Sequence, residues 1–323
     1  MLTFVVRRLI ATVVLMFAIS VLVFFIFFAT PGVDPARQLA GRNPDPTTIA
    51  AIRHEFGLDR SFFVRYGLMM KRIFITRDLI SYGNQNVKVV PEVLAAAPVD
   101  FSLVIGAALI WVIFSILTGV AAVVLKGTIF DPLLMILALI GISMPVFWLG
   151  EVANLITQDR FHDTFLFHWV PPPGYVPLTQ NPWQWFLHLI IPWIVLSVLY
   201  VGFYARVLRA NLLEVQNEDY IRTARAKGLS ERRVLFKHTL RTSLITFVSL
   251  FGLDFGVLVG GGALLTEVVF GLHGIGLLTY NALQALDLPV IMTTVLYGAF
   301  FITLASALVD VLYARLDPRI RPA

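Results

Sequence analysis

Residues 101–125 read Phe101-Ser-Leu-Val-Ile-Gly-Ala-Ala-Leu-Ile110-Trp-Val-Ile-Phe-Ser-Ile-Leu-Thr-Gly-Val120-Ala-Ala-Val-Val-Leu125, a run without a single formal charge. A helix rises about 1.5 Å per residue, so roughly 20 apolar residues cross a bilayer core about 30 Å thick. This run is long enough with residues to spare. Five others meet the same test: 9–29, 133–156 (interrupted by Glu151), 187–207 (uncharged up to Ala205), 242–266 (carrying Asp254) and 288–312 (uncharged up to Val309). Lipid offers no partner to backbone N–H and C=O groups, and spans this long satisfy them only as helices. The expected fold class is an all-α membrane protein with six transmembrane helices.

Composition agrees. Hydrophobic residues make up 58% of the chain and mean hydropathy is +0.82, too apolar for a soluble protein of this length. There are no cysteines, which excludes disulfides, cysteine-ligated zinc and thiol catalysis. The net charge of +5 sits beside apolar spans rather than on a soluble module, and therefore reads as membrane topology rather than nucleic-acid binding.

Arg7 and Arg8 precede the first run as they would in a signal peptide. Its apolar core exceeds the roughly 7–15 residues of such a segment, so an uncleaved anchor is expected. Six spans put both termini on one side. If that side is cytoplasmic, short inner segments hold Arg7, Arg8, Lys126, Arg206, Arg209, Arg222, Arg225, Lys227, Arg232, Arg233, Lys237, Arg241, Arg315, Arg319 and Arg321. The two short outer loops hold only Arg160. The positive-inside rule then assigns residues 1–8, the loop 209–241 and the tail 316–323 to the cytoplasm. Residues 30–98 become an extracytoplasmic loop, followed by a core from 99 to 315. Within that outer loop the pattern predicts a short helix from Thr47 that stops at Gly57, and a second over 61–75. A later outer loop, 169–185, is rich in proline and tryptophan, which suits the membrane interface.

The inner loop carries the most structured signal. It runs Asp219-Tyr-Ile-Arg-Thr-Ala-Arg-Ala-Lys-Gly228-Leu-Ser230. Asp219 is an expected N-cap for a helix ending at Lys227, and Gly228 the residue after it, where a left-handed φ costs glycine nothing. Ser230 is expected to cap a second helix. Tyr220, Ile221 and Ala224 share one side of the first, with Arg222 and Arg225 on the other. Two turns of helix are unstable alone, so something must hold it. Ala224 and Ala226 would permit close approach of a partner. Basic residues also anchor loops at anionic headgroups, which remains the reading for Arg232, Arg233 and Lys237.

Residues 219–229 resemble the cytoplasmic EAA-type loop of bacterial ABC-importer permeases, and the B-type permease of dipeptide, oligopeptide and nickel systems is the most similar. The likeness extends to Arg7-Arg8, Pro31-Gly32, Gly57-Leu58-Asp59 with Tyr66, Pro145, Glu267 with Phe270-Gly271-Leu-His-Gly274-Ile-Gly276, and the ending 309–321. The resemblance implies a type I ABC-importer permease in the bacterial plasma membrane. Its expected partners are a C-type permease in a heterodimer, two ATPase domains or subunits that bind ATP and Mg, and an extracytoplasmic substrate-binding protein. No cofactor or metal is expected on this chain, and peptide is the implied cargo, with nickel, glutathione or haem-like ligands as alternatives. By the same resemblance Asp219, Tyr220, Thr223, Ala224, Arg225, Ala226 and Gly228 would couple to an ATPase, and Glu267, Gly271, Gly274 and Gly276 would form an outer-loop motif. Two departures stand out. The family carries Gly-Asp-Leu-Gly-x-Ser where this chain has Arg77-Asp-Leu-Ile80-Ser-Tyr82, which leaves the turn there open. His273 replaces a frequent proline and reads as a loop residue.

Polar residues and glycines inside the spans complete the list. Gly252, Gly256 and Gly260 recur every four residues, which suits either packing within the chain or a subunit seam along the translocation path. Asp254 lies among them, and an ionisable group there seldom faces lipid. It can line a polar passage and attract a peptide amine, or instead be protonated, or bond to a neighbouring helix. Glu151 and Asp100 are expected to reach water or headgroups, Asp310 to order the inner end of the last span, and Pro145 to kink the third. The chain contains no G-x-x-x-x-G-K-[ST] phosphate loop, so ATP would be hydrolysed elsewhere. A stand-alone secondary transporter would leave the capped loop unexplained. A membrane enzyme fares worse: His54-Glu55 lacks the second histidine of H-E-x-x-H, because Leu58 stands there.

Overall fold

The computed structural model describes residues 2–29, 35–40, 45–55, 57–84 and 86–316. Pro31-Gly32 and the tail beyond residue 316 lie outside these, as does the side chain of Asp310. The described chain is helical. Helix α1 covers Leu2–Ala29, α2 Pro35–Leu39, α3 Pro46–Glu55 and α4 Phe62–Lys71, continued by a π-helical turn over Arg72–Thr76. Helix α5 covers Val89–Val124, α6 Phe130–Ser143 and α7 Val146–Asn154. Then follow α8 (Pro182–Val215), α9 (Asp219–Ala226), α10 (Glu231–Arg233) and α11 (Leu240–Val257). The last three are α12 (Leu264–Val269), α13 (Ile275–Gln284) and α14 (Leu288–Leu316).

Among the described residues, five helices are long and apolar enough to span a membrane, or six if the bent pair α6–α7 is one span. The expectation of six spans therefore holds with three corrections. The third span is broken rather than kinked: α6 and the helix after it meet at 93°. Pro145 has no N–H to give and forces Met144 into an extended conformation, φ −83° and ψ 124°. The fifth span does not run unbroken to residue 266. Gly261 adopts φ 102°, which no helix contains, and the chain restarts as α12. The second span also begins inside the expected outer loop, at Val89 rather than after residue 98.

The chain falls into two compact units. The first gathers residues 1–100, 256–264 and 273–304. Its core contains Phe24, Met69, Ile73, Val89, Val93, Ile275 and Met292. The expected outer-loop helices appear as α3 and α4, with Gly57 at φ 66° between them. Tyr66 on α4 lies edge-on to Phe24, and its hydroxyl meets Ser20 Oγ at 2.6 Å. The turn left open by the missing glycines does form: Arg77 takes a left-handed φ of 55°, and Ile80 makes a bridge with Lys88. What holds it is Asp287, a buried carboxylate that accepts from the Ser81 hydroxyl, from Tyr82 N–H (3.1 Å) and from Gly83 N–H (3.0 Å). Burial also pushes the Tyr82 phenol up to about 12.

The second unit gathers residues 101–255, 265–272 and 305–323. Helices α6 and α8 pack along their lengths. Their ends are clamped by Arg209, whose Nε and Nη2 both lie 2.7 Å from the two carboxylate oxygens of Asp131. A bidentate pair of this kind fixes orientation as well as charge.

Candidate coupling loop and polar cluster

After α8 ends at Val215, a tight turn leads into α9. Glu218, with φ −68° and ψ 147°, is the N-cap, and no side chain caps the helix. Asp219 is therefore the first helical residue and not the cap. Its carboxylate instead meets Arg222 at 3.4 Å in an exposed pair, where it also suits the positive end of the helix dipole. The other end is as expected. Gly228 has φ 76°, its N–H bonds to Arg225 O at 2.9 Å, and Leu229 N–H reaches back to Ala224 O. Those two bonds form a Schellman cap, which requires the left-handed residue.

A short helix needs support, and this one has its own core. Ile221 and Ala224 are buried against Val234, with Val215 and Leu229 alongside. Burying an isoleucine stabilises by about 1.5–3 kcal/mol, enough to matter for two turns of helix. The expected role of Ala224 is corrected by this packing: it faces the loop's interior, and only Ala226 remains exposed for close approach. Arg225 is exposed but engaged within the loop, bridging Glu231 at 2.9 Å and donating to Gln216 O at 3.4 Å. Thr223 bonds its own helix at Asp219 O. Tyr220 is split from Ile221 and Ala224: it is 44% exposed, with its hydroxyl donating to Thr242. The free face is thus Asp219, Tyr220, Arg222, Thr223 and Ala226. Ser230 takes the N-cap backbone conformation for α10 without making the side-chain bond.

In the membrane segments, Asp254 accepts a 2.6 Å hydrogen bond from the Tyr204 hydroxyl on α8. Of the alternatives for this residue, the bond to a neighbouring helix is thus present. Two of the three spaced glycines pack within the chain. A Cβ on Gly252 would lie 1.9 Å from Val309 Cγ2, and one on Gly260 3.0 Å from the Cα of Gly298, both on α14. Gly256 is also buried.

The residues of the expected outer-loop motif are divided between the two units. Glu267 and Gly271 belong to the second unit, Gly274 and Gly276 to the first. Glu267 is fully buried, and its carbonyl accepts from Leu272 N–H at 2.8 Å. Gly271, at φ 61°, closes α12 with the same capping pattern as Gly228 closes α9. Gly274 is the N-cap of α13. A glycine has no side chain to cap with, and Asp100 supplies one: its carboxylate accepts from Ile275 N–H at 2.6 Å while wholly buried. The expectation that Asp100 reaches water or headgroups is therefore corrected, since a helix N-terminus in the protein interior offers it a better partner. Glu151 and His273 are exposed, as expected. Asp287, Asp131 and Tyr204 were beyond sequence reasoning, because each partner lies far away in the chain.

Five or six apolar helices of membrane-spanning length, with one short loop helix held on its own core, define a multi-pass membrane protein. The comparisons give the family. Residues 111–322 match the binding-protein-dependent transport system inner membrane component, and residues 1–95 match the N-terminal domain of such membrane components. The chain belongs to this family, the permeases of ABC importers. It is 36% identical over 315 residues to a peptide transport system permease protein of Brucella abortus that covers 98% of each chain. It is 35% identical to a di/tripeptide transport system permease protein of Pseudomonas aeruginosa, covering 99% of both chains. It is likewise 36% identical to a glutathione transport system permease protein of Salmonella paratyphi A, again covering 99% of both.

Proposed function

We propose that this chain is the permease half of an ATP-driven peptide importer, coupled to a cytoplasmic ATPase through α9. The observation that carries the coupling is the construction of that helix. Its own small core and glycine cap hold it in place, while Asp219, Tyr220, Arg222, Thr223 and Ala226 stay exposed. In this reading Ala224, Arg225 and Gly228 shape the helix and do not touch the partner. A C-type permease completes the translocation path, two ATPase domains or subunits bind ATP and Mg, and an extracytoplasmic binding protein delivers the cargo. Both termini lie in the cytoplasm. Peptide is favoured as cargo because the relatives' names specify peptides, di/tripeptides and glutathione.

Reconstitution tests this. The chain, placed in proteoliposomes with its partner permease, ATPases and binding protein, takes up a labelled tripeptide only when ATP is present. Uptake driven by an ion gradient without ATP would make the chain a secondary transporter. ATP-dependent uptake of a nickel chelate or a haem-like ligand in place of peptide would move it to another cargo class.

A further inference from the structure

Around Asp254 the second unit assembles an unusual amount of aromatic surface. Trp111 on α5 stacks on Tyr200 of α8, with ring centroids 4.5 Å apart and planes 23° from parallel. Phe251, on the same helix as Asp254, meets Trp111 edge-on at 5.4 Å. Tyr204 touches Trp111, Phe203 and Phe247, and its hydroxyl holds one carboxylate oxygen of Asp254. The second oxygen takes no hydrogen bond from a described residue, and no described lysine or arginine pairs with the group. Asp254, Tyr200 and Phe251 are each partly exposed, whereas Trp111 is fully buried. The Trp111 indole N–H has no partner among the described residues, which costs about 1–3 kcal/mol and sets this cluster apart from ordinary core packing.

A carboxylate with one oxygen open, set in a cluster of aromatic rings, has the two features that recognise an organic cation. The rings attract it through their quadrupoles, more strongly where water is scarce, and the carboxylate supplies countercharge and a hydrogen-bond acceptor. An exposed ionisable group within a span faces a polar passage or a protein partner rather than lipid. We propose that Asp254, with Tyr200, Tyr204 and Phe251 backed by Trp111, is a binding site for the primary ammonium group of a cargo molecule. With peptide as cargo, an assignment that rests on the function proposed above, that group is the peptide's free amino terminus.

The test compares a tripeptide with its N-acetylated form in ATP-driven uptake by the full reconstituted complex. The same binding protein feeds every variant, so a changed ratio belongs to the permease. Asp254→Asn keeps an acceptor for the Tyr204 hydroxyl but loses the charge. It is expected to lower the free-to-acetylated uptake ratio at least tenfold, with Asp254→Glu restoring most of the preference. An unchanged ratio in Asp254→Asn, or an equal fall for both peptides, overturns the site. A second measurement is independent of cargo: saturation-transfer NMR of the whole complex with phenethylammonium, using phenethyl alcohol as the neutral control. Transfer to the ammonium in the wild type that disappears in Asp254→Asn supports the site, and equal transfer in both overturns it. If the wild-type complex takes up neither peptide, the peptide reading falls and the NMR result alone decides the site.

Discussion

At Gly228 a single backbone angle decides whether α9 ends where it does. The residue sits at φ 76° with no heavy atom within 4 Å of where a Cβ would be, so a side chain there meets conformational strain and no steric neighbour. Gly228→Val places a β-branched residue in the left-handed region at about 1–3 kcal/mol, which is roughly fivefold to a hundredfold in the population of the capped helix. Assembly of the complex should survive, while stimulation of ATPase activity by loaded binding protein is lost. Wild-type stimulation in that variant would remove the coupling role from this helix end. Local rules made this glycine legible, because its cap is closed by bonds within the same few residues. They misplaced the other end by one residue, where Glu218 rather than Asp219 turns the chain. They also gave no warning of Arg77, a left-handed residue without glycine's freedom.

Among the elements, α13 and the turn at 80–84 depend on carboxylates from far along the chain. Asp100 caps one end of α13, and Asp287, just past the other, receives the Ser81 hydroxyl and the N–H groups of Tyr82 and Gly83. Asp287→Ala leaves those donors unpaired in a buried setting, at about 1–3 kcal/mol for each group left unsatisfied. The expected result is faster amide exchange at Tyr82 and Gly83 together with a lower thermal midpoint in detergent. Unchanged exchange at both amides would show that the strand bridge between Ile80 and Lys88 holds the turn without this residue.

For the whole molecule, the charge asymmetry predicts which face meets the cytoplasm. The native chain has no cysteine, so single-cysteine variants need no prior removal of thiols. Ala226 and His273 are both exposed. A membrane-impermeant maleimide applied to intact spheroplasts should label His273→Cys at once and Ala226→Cys only after permeabilisation. The reverse pattern would invert the orientation and separate α9 from any cytoplasmic ATPase.

Hydropathy and local capping by themselves determined the membrane helices, the short helices α3 and α4, and the glycine end of α9. These follow from forces that act within one turn or across one span: burial of apolar side chains in lipid, obligatory backbone pairing, and the strain of a left-handed residue. Tertiary structure alone decided what the polar residues do. Asp100 could not be told from a headgroup-seeking carboxylate until Ile275 stood beside it, nor Ala224 from a partner contact until Val234 covered it. The same holds for Gly252 and Gly260, which face α14 of their own chain. A buried charge is stable only with a matching neighbour, and a glycine in a span acquires a packing role only from the helix set against it. When that neighbour is more than a hundred residues away, as for Asp100 and Ile275, no local pattern names it.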